Sequence, residues 1–265
     1  MTQDISAPTG VQTLLRGLAV VQAVAAGARD LKEIGHMVGT TRSTTHRLAA
    51  CLVQERYLCN LPGIGYTLGS RLIELGFQAR DEISLATIAK PFVAALAQAT
   101  GCTIHLAVRE GDEVLYMDKI AGKFGLEMRS RIGHRMPVAR TGVGKALMLD
   151  LNEAEWKKLF DASAGGSGAA AYALAPKMHW KAFQQRMQEY AAGGYALDLE
   201  DNEPSIRCVA APIRDASGEI VAAVSVSSTL PYMSTERMQE LIPVVVNAAA
   251  GISHELGGTR ADRMK

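Results

Sequence analysis

The chain has 265 residues, of which 48% are hydrophobic and 21% charged. That composition excludes disorder and leaves room for one large domain or two ordinary ones, each with its own core. A net charge of +1 excludes a global attraction to nucleic acid or membrane, yet residues 1–80 carry eight lysines and arginines against five acids, and the remainder twenty against twenty-two.

The first predicted element is a helix over VQTLLRGLAVVQAVAAG, with Leu14, Leu15, Leu18, Val21 and Val24 at spacings of three and four and a stop at Gly27. A short second helix spans Leu31 to Val38, and Gly39 supplies a turn. Thr40 or Thr41 then caps a third helix that runs to about Glu55. On that third helix Arg42, Ser43, His46 and Arg47 fall on one stripe. Leu48, Cys51 and Leu52, with Thr44 and Thr45 above them, fall on the other. RYLCNLPGIGYTLG follows as a hairpin about Pro62-Gly63. Helix, helix-turn-helix and ribbon together describe a winged helix-turn-helix. In such a unit the second helix of the motif enters the major groove. Thr41, Arg42, Ser43, His46 and Arg47 are then the candidate DNA-binding residues, the arginines for guanine edges or phosphates and the rest for either kind of acceptor. A solvated face bearing two arginines is the bland alternative.

LGSRLIELGFQARDEISLATIAKPFVAALAQATG reads as a helical linker interrupted near Pro91. From Gly101 the period changes to two. TIHLAVR and EVLYMDKI flank Glu110-Gly111-Asp112 as an antiparallel hairpin. TGVGKALML opens a helix, and Asn152 with Glu155 forms a capping box for the next. SAGGSGAA reads as a surface loop, and a helix from about His179 ends at Gly193-Gly194. Strands IRCVAAPI and EIVAAVSVSS surround a DASG turn, and a last helix starts near Ser234 or Thr235, with a kink at Pro243. The fold class expected is multi-domain α+β. Residues 10–70 form the winged helix-turn-helix, 71–100 the linker and 101–258 a second domain with an antiparallel sheet.

No uninterrupted apolar run of about 18 residues occurs, and MTQDISAPTG has neither a basic region nor an apolar stretch, so no membrane partner and a cytoplasmic location are expected. Cys51, Cys59, Cys102 and Cys208 lack paired spacing, and the histidines are scattered, so no metal is expected. TGVGK lacks the spacer of a phosphate-binding loop and has Ala146 where Ser or Thr is needed, which disfavours a nucleotide; no cofactor is expected. The exposed amides at Gly142-Val143-Gly144 suit a smaller anion. Ser225 and Ser227, two apart on one strand, present both hydroxyls to one side of the sheet while Val224 and Val226 face the other. Their bland alternative is bonding to neighbouring backbone.

The chain resembles the IclR family of bacterial transcriptional regulators. The resemblance rests on LLRGLAVVQAV, STTHRLAACLVQERYL, YTLGSRLIELG, TGVGKALM and GYALDLEDNEPSIRCVAAPIRDASGEIVAAVSVS, in the family's order over roughly residues 10 to 256. It implies a C-terminal GAF-like effector domain behind the winged helix. It also implies homodimers, commonly paired into tetramers, on pseudo-palindromic double-stranded operator DNA. An effector that is a small organic acid, by a weaker likeness sugar-derived, would lie against Met128, Gly142, Val143, Asp198, Cys208, Ser225 and Ser227. A catabolic repressor is the implied role. Asp198 is expected to accept a hydrogen bond from an effector hydroxyl, or else to bond a backbone turn. Ser205 stands where the family commonly has glycine. The alternative function is a small-molecule-sensing module, or an enzyme using Cys208 with His105 or His134 as base, whose winged helix serves protein contacts. A thiol in an apolar strand is more often inert.

Overall fold

A computed structural model describes residues 9–82, 84–124, 128–163 and 178–258, and its second compact unit begins at Ser84. In the first unit, α1 (Thr9–Ala25), α2 (Leu31–Val38) and α3 (Arg42–Gln54) precede a ribbon of β1 (Leu58–Leu61) and β2 (Gly65–Leu68). Their core is Val20, Ala23, Val24, Ala28, Ile34 and Leu58, with Leu48, Leu52, Val53 and Tyr66 packed against it. Two sequence expectations change here. Leu14, Leu15 and Leu18 are 53–63% exposed, so the buried face of α1 starts only at Val20, and Val11 joins the three leucines in an outward apolar stripe. Cys51 is exposed as well, because it follows Arg47 by four residues and so shares its side of the helix.

Local chemistry sets the motif's geometry. Asp30 caps α2 by accepting from the Lys32 and Glu33 amides (2.7 and 2.9 Å), and Glu33 reaches back to complete the box. Gly39 ends α2 at φ 69°, a left-handed turn that glycine adopts without steric penalty. Thr41, rather than Thr40, caps α3. Thr45 is fully buried and binds the Thr41 carbonyl and the Thr40 hydroxyl (both 2.9 Å), which seats α3 on the turn.

The stretch expected as one linker is two helices, α4 (Ser70–Glu82) in the first unit and α5 (Leu85–Thr100) in the second. The chain is extended at Ser84, where α5 begins, and Pro91 lies exposed inside α5 without interrupting it. At the root of α4, Arg56 adopts φ 63° and its guanidinium binds Ser70 Oγ (3.0 Å) and the Glu74 carboxylate.

The second unit is built on six antiparallel strands in the order β5-β4-β3-β8-β7-β6. These are β3 (Thr103–Glu110), β4 (Glu113–Ile120), β5 (Arg135–Pro137), β6 (Ala196–Leu199), β7 (Ile206–Arg214) and β8 (Ile220–Thr229). Both β5 and β6 escaped the sequence reading, being three and four residues long. On one face Ile104, Leu106, Val209, Val224 and Val226 pack with α5 and with α9 (Thr235–Glu255), which Pro243 does not end. On the other, Ala107, Ala196, Ala210 and Ala223 admit α6 (Gly142–Leu147), α7 (Glu153–Ala162) and α8 (Trp180–Gly193). Small residues there let α6 approach closely. The expected SAGGSGAA loop lies, past Ser163, outside the described residues. Among the described residues no helix is long and apolar enough to cross a membrane.

Candidate nucleic-acid interface and ligand pocket

Arg42, Ser43, His46 and Arg47 are all exposed on α3, and Thr41 is exposed at its start. The Thr41 hydroxyl is engaged locally, 3.0 Å from Thr44 Oγ1 and 3.2 Å from Ser43 Oγ. It organises the helix start, while the two arginines and His46 project from the following turns. The ribbon behind them carries no Lys or Arg between Tyr57 and Gly69, so the cationic groups of this face belong to the helix.

In the second unit one cavity of about 210 Å³ opens on the α6 side of the sheet. That is below the roughly 300–1,000 Å³ typical of drug-sized ligands. Met128, Gly142, Val143, Asp198, Cys208, Ser225 and Ser227 all line it, although they come from five separate segments of chain. Strand register explains the convergence. Thr103, Ser227, Cys208 and Asp198 are directly opposed across β3, β8, β7 and β6, and His105 and Ser225 are opposed one pleat away. Gly142 brings α6 onto this strip: a Cβ there would stand 2.1 Å from Cys208 Sγ.

The sequence did not single out Tyr116, Ser130 and Asn202 as lining residues, and offered His105 as a possible base for Cys208 and not as an effector contact. His105 Nε2 is 2.7 Å from Ser130 Oγ, and Nδ1 is 3.4 Å from Ser227 Oγ. Lys119, the cross-strand partner of His105, fixes the 128–130 segment by donating to the Met128 and Ser130 carbonyls (2.9 and 2.7 Å). Nothing in the local pattern around Ser130 or Asn202 signals this role, because both sit in irregular chain. His105 could have been found only from its pairing with Ser225.

Burial sets the protonation states. Burial, helped by the nearby Lys119 charge, pushes the His105 imidazole down to about 3, so it is neutral. Burial raises Asp198 to about 6; Lys145 opposes the shift and Asp201 adds to it. Cys208 is pushed up to about 12 by burial and the Asp198 charge. A thiol held in its neutral form is a poor nucleophile, which counts against the cysteine-enzyme alternative. Behind the cavity, Lys145 is 1% exposed and its ammonium binds the Asp201 carboxylate and the Leu197 carbonyl. Arg186 of α8 grips the same carboxylate with two 3.0 Å bonds. Burial opposes ionisation of Asp201, but Lys145 and Arg186 outweigh it and hold this carboxyl below its ordinary range. Among the described residues no group of three or more His, Cys, Asp or Glu side chains is placed to hold a metal.

The family profile described as "IclR helix-turn-helix domain" matches residues 13–61, and that described as "Bacterial transcriptional regulator IclR C-terminal" matches residues 77–254. The HTH-type transcriptional regulator XynR of Escherichia coli (strain K12) is 31% identical over 93% of this chain and 98% of that protein. The transcriptional repressor IclR of the same organism is 28% identical over 94% of this chain and 92% of its own. The crystal structure of the Agobacterium tumefaciens repressor BlcR is similar in fold, with a TM-score of 0.79 at 23% identity, covering 95% of this chain and 99% of that one.

Proposed function

The chain belongs to the IclR family of bacterial transcriptional regulators, and from that premise we propose a cytoplasmic homodimeric repressor of a catabolic operon, controlled by a small organic acid. Membership makes it a ligand-responsive DNA-binding regulator and not an enzyme. In the proposed reading, Thr41, Arg42, Ser43, His46 and Arg47 of each protomer meet one half of a pseudo-palindromic operator, since two-fold protein symmetry imposes symmetry on the sites. The effector occupies the 210 Å³ cavity. Its acid group meets Ser225 and Ser227, its body Met128, Val143 and Cys208.

The observation that carries this reading is the meeting of seven residues from distant parts of the chain in a single small cavity lined by hydroxyls and apolar side chains. The dimer is supported by the outward stripe Val11, Leu14, Leu15 and Leu18 on α1, joined in the same unit by Ile73 and Phe77 on α4 (63 and 53% exposed). A head with an excess charge near +3 grips DNA weakly alone, so two heads acting together gain avidity. Repression is supported by the likeness to the E. coli transcriptional repressor IclR. For the effector to act, it must bind two arrangements of the protein with different affinity.

The test uses full-length protein and the promoter beside its own gene in a gel shift. Arg47→Ala and Arg42→Ala should each weaken operator binding by about 1–3 kcal/mol if they reach base edges. Ser225→Ala/Ser227→Ala should hold the operator yet lose the effector response found by a thermal-shift survey of small acids. Each charge-assisted bond removed costs about 1.5–3 kcal/mol of effector affinity. Operator affinity unchanged in both arginine variants would sink the helix assignment, and an unchanged effector response would move the pocket elsewhere.

A further inference from the structure

Asp198 is the anomaly of the pocket. It is buried, lines the cavity and accepts the Asp201 amide at 2.8 Å. Among the described residues no salt bridge holds its carboxyl. The two cations nearest to it are spent elsewhere: Lys145 of α6 and Arg186 of α8 both bind the Asp201 carboxylate. Arg140, on the segment before α6, donates to the Asp201 carbonyl at 3.1 Å. Tyr190 of α8 stands near the same group, and Cys208 of β7 is its cross-strand partner. His105 and His134 line the cavity, Lys119 pairs with His105 from β4 and donates to the Met128 and Ser130 carbonyls, and the Arg129–Glu203 pair belongs to the more exposed rim. Arg207 on β7 is paired with Glu200.

An acid held by Ser225 and Ser227 shares its strip of sheet with Asp198, because Ser227 pairs with Cys208 and Cys208 with Asp198 across three successive strands, and Ser225, Ser227 and Asp198 all line the one cavity. Two carboxylates cannot both stay ionised in one buried site, so one of them keeps a proton. The retained proton then lies between them in a short O–H···O⁻ bond. Building on the reading of this cavity as an acid-effector site, we propose that Asp198 recognises the effector carboxylate in its protonated form, so the acid enters the pocket together with one proton. The proton comes from solvent and goes to the Asp198 carboxylate. The effector stays an anion and accepts a hydrogen bond from the Asp198 O–H. This reverses the role expected from sequence, in which an ionised Asp198 accepts from an effector hydroxyl. The raised carboxyl, at about 6 before any ligand arrives, supports the assignment.

The linkage has a definite sign. Below pH 6 Asp198 already carries its proton and affinity is flat; above it, affinity for an acid falls about tenfold per pH unit, roughly fiftyfold between pH 6 and 8. Calorimetry on full-length protein with lactate, glycerate and gluconate, in two buffers of different ionisation enthalpy, reads both affinity and proton uptake. At pH 7.5 the expected uptake approaches one proton per acid bound. Asp198→Asn keeps an acceptor for the Asp201 amide and supplies an N–H donor without a proton from solvent. Its affinity should become independent of pH, exceed wild type at pH 8, and show no uptake. Acid binding with no uptake, affinity that rises with pH, or uptake that survives in Asp198→Asn would each overturn the proposal while leaving the pocket an acid site. If none of the three acids binds between pH 5.5 and 8.5, the acid-effector reading itself falls, and the proposal with it.

Discussion

The two units handle polar side chains in opposite ways. On α3 the arginines, Ser43 and His46 stand exposed, and their order comes from a capped helix. In the cavity Asp198, His105, Ser225 and Ser227 are each at most 4% exposed, and the surrounding fold decides which of them carry protons. An outward group takes its energetics from the partner that arrives. An inward group has already been selected by its neighbours, so altering it disturbs the fold as well as binding.

This contrast predicts unequal stability effects. The largest should follow Lys145→Ala, which leaves Asp201 buried with one cation fewer. A loss of about 3–5 kcal/mol is expected in denaturant unfolding, against less than about 0.5 for Arg47→Ala. Comparable losses for the two would break the comparison. A middle effect concerns acid. The His105 imidazole is held at about 3 in the folded protein and titrates near 6.5 when unfolded, so its contribution is present above pH 6.5 and is lost as pH falls below it. By pH 5 that loss is about 2 kcal/mol. Asp198 works in the opposite sense, since its folded value lies above its unfolded one and its contribution grows as pH falls through 6. The measurement is therefore the difference in unfolding free energy between wild type and His105→Asn at pH 7 and pH 5; a difference that does not change with pH would contradict the buried neutral imidazole.

The smallest effect tests strain. Ser205 adopts φ 66°, before the strand that carries Cys208, and this is where glycine was the expected residue. Ser205→Gly should raise stability by about 1 kcal/mol by removing the left-handed penalty. Arg56, at φ 63° in the first unit, should show no such gain on Arg56→Gly, because its side chain braces α4 through Ser70 and Glu74. Thermal unfolding of the two variants separates strain that is idle from strain that is held by a contact.

Much of the architecture was legible because local rules governed it. The Asp30 box, the glycine at 39 and the alternation of Ser225 and Ser227 with Val224 and Val226 each need only neighbours in sequence. Periodicity failed on α1, where an apolar stripe does not say whether its own unit covers it; Leu14, Leu15 and Leu18 look outward. It failed again at the linker, where helix-forming residues run through positions 70–100 and only the backbone at Ser84 reveals two helices. The pairing of β3 with β8 spans more than a hundred residues, and with it the placement of His105 beside Ser225. No local signal encodes such a contact. The buried attachment of Lys145 to Asp201 was hidden in the same way, behind a glycine-rich motif that looked exposed.

The alternation along β8 has a consequence for how such a chain can change. Valines 224 and 226 hold the helices α5 and α9, while the serines between them face the cavity. Substitution can therefore rewrite one side of the strand without touching the other, and ligand preference can drift while the scaffold persists. Insertion has no such freedom. One extra residue in β8 would turn hydroxyls into the apolar layer and valines into the cavity, exchanging the two roles in a single step. The same two-residue rhythm that frees the pocket to vary in chemistry forbids it to vary in length.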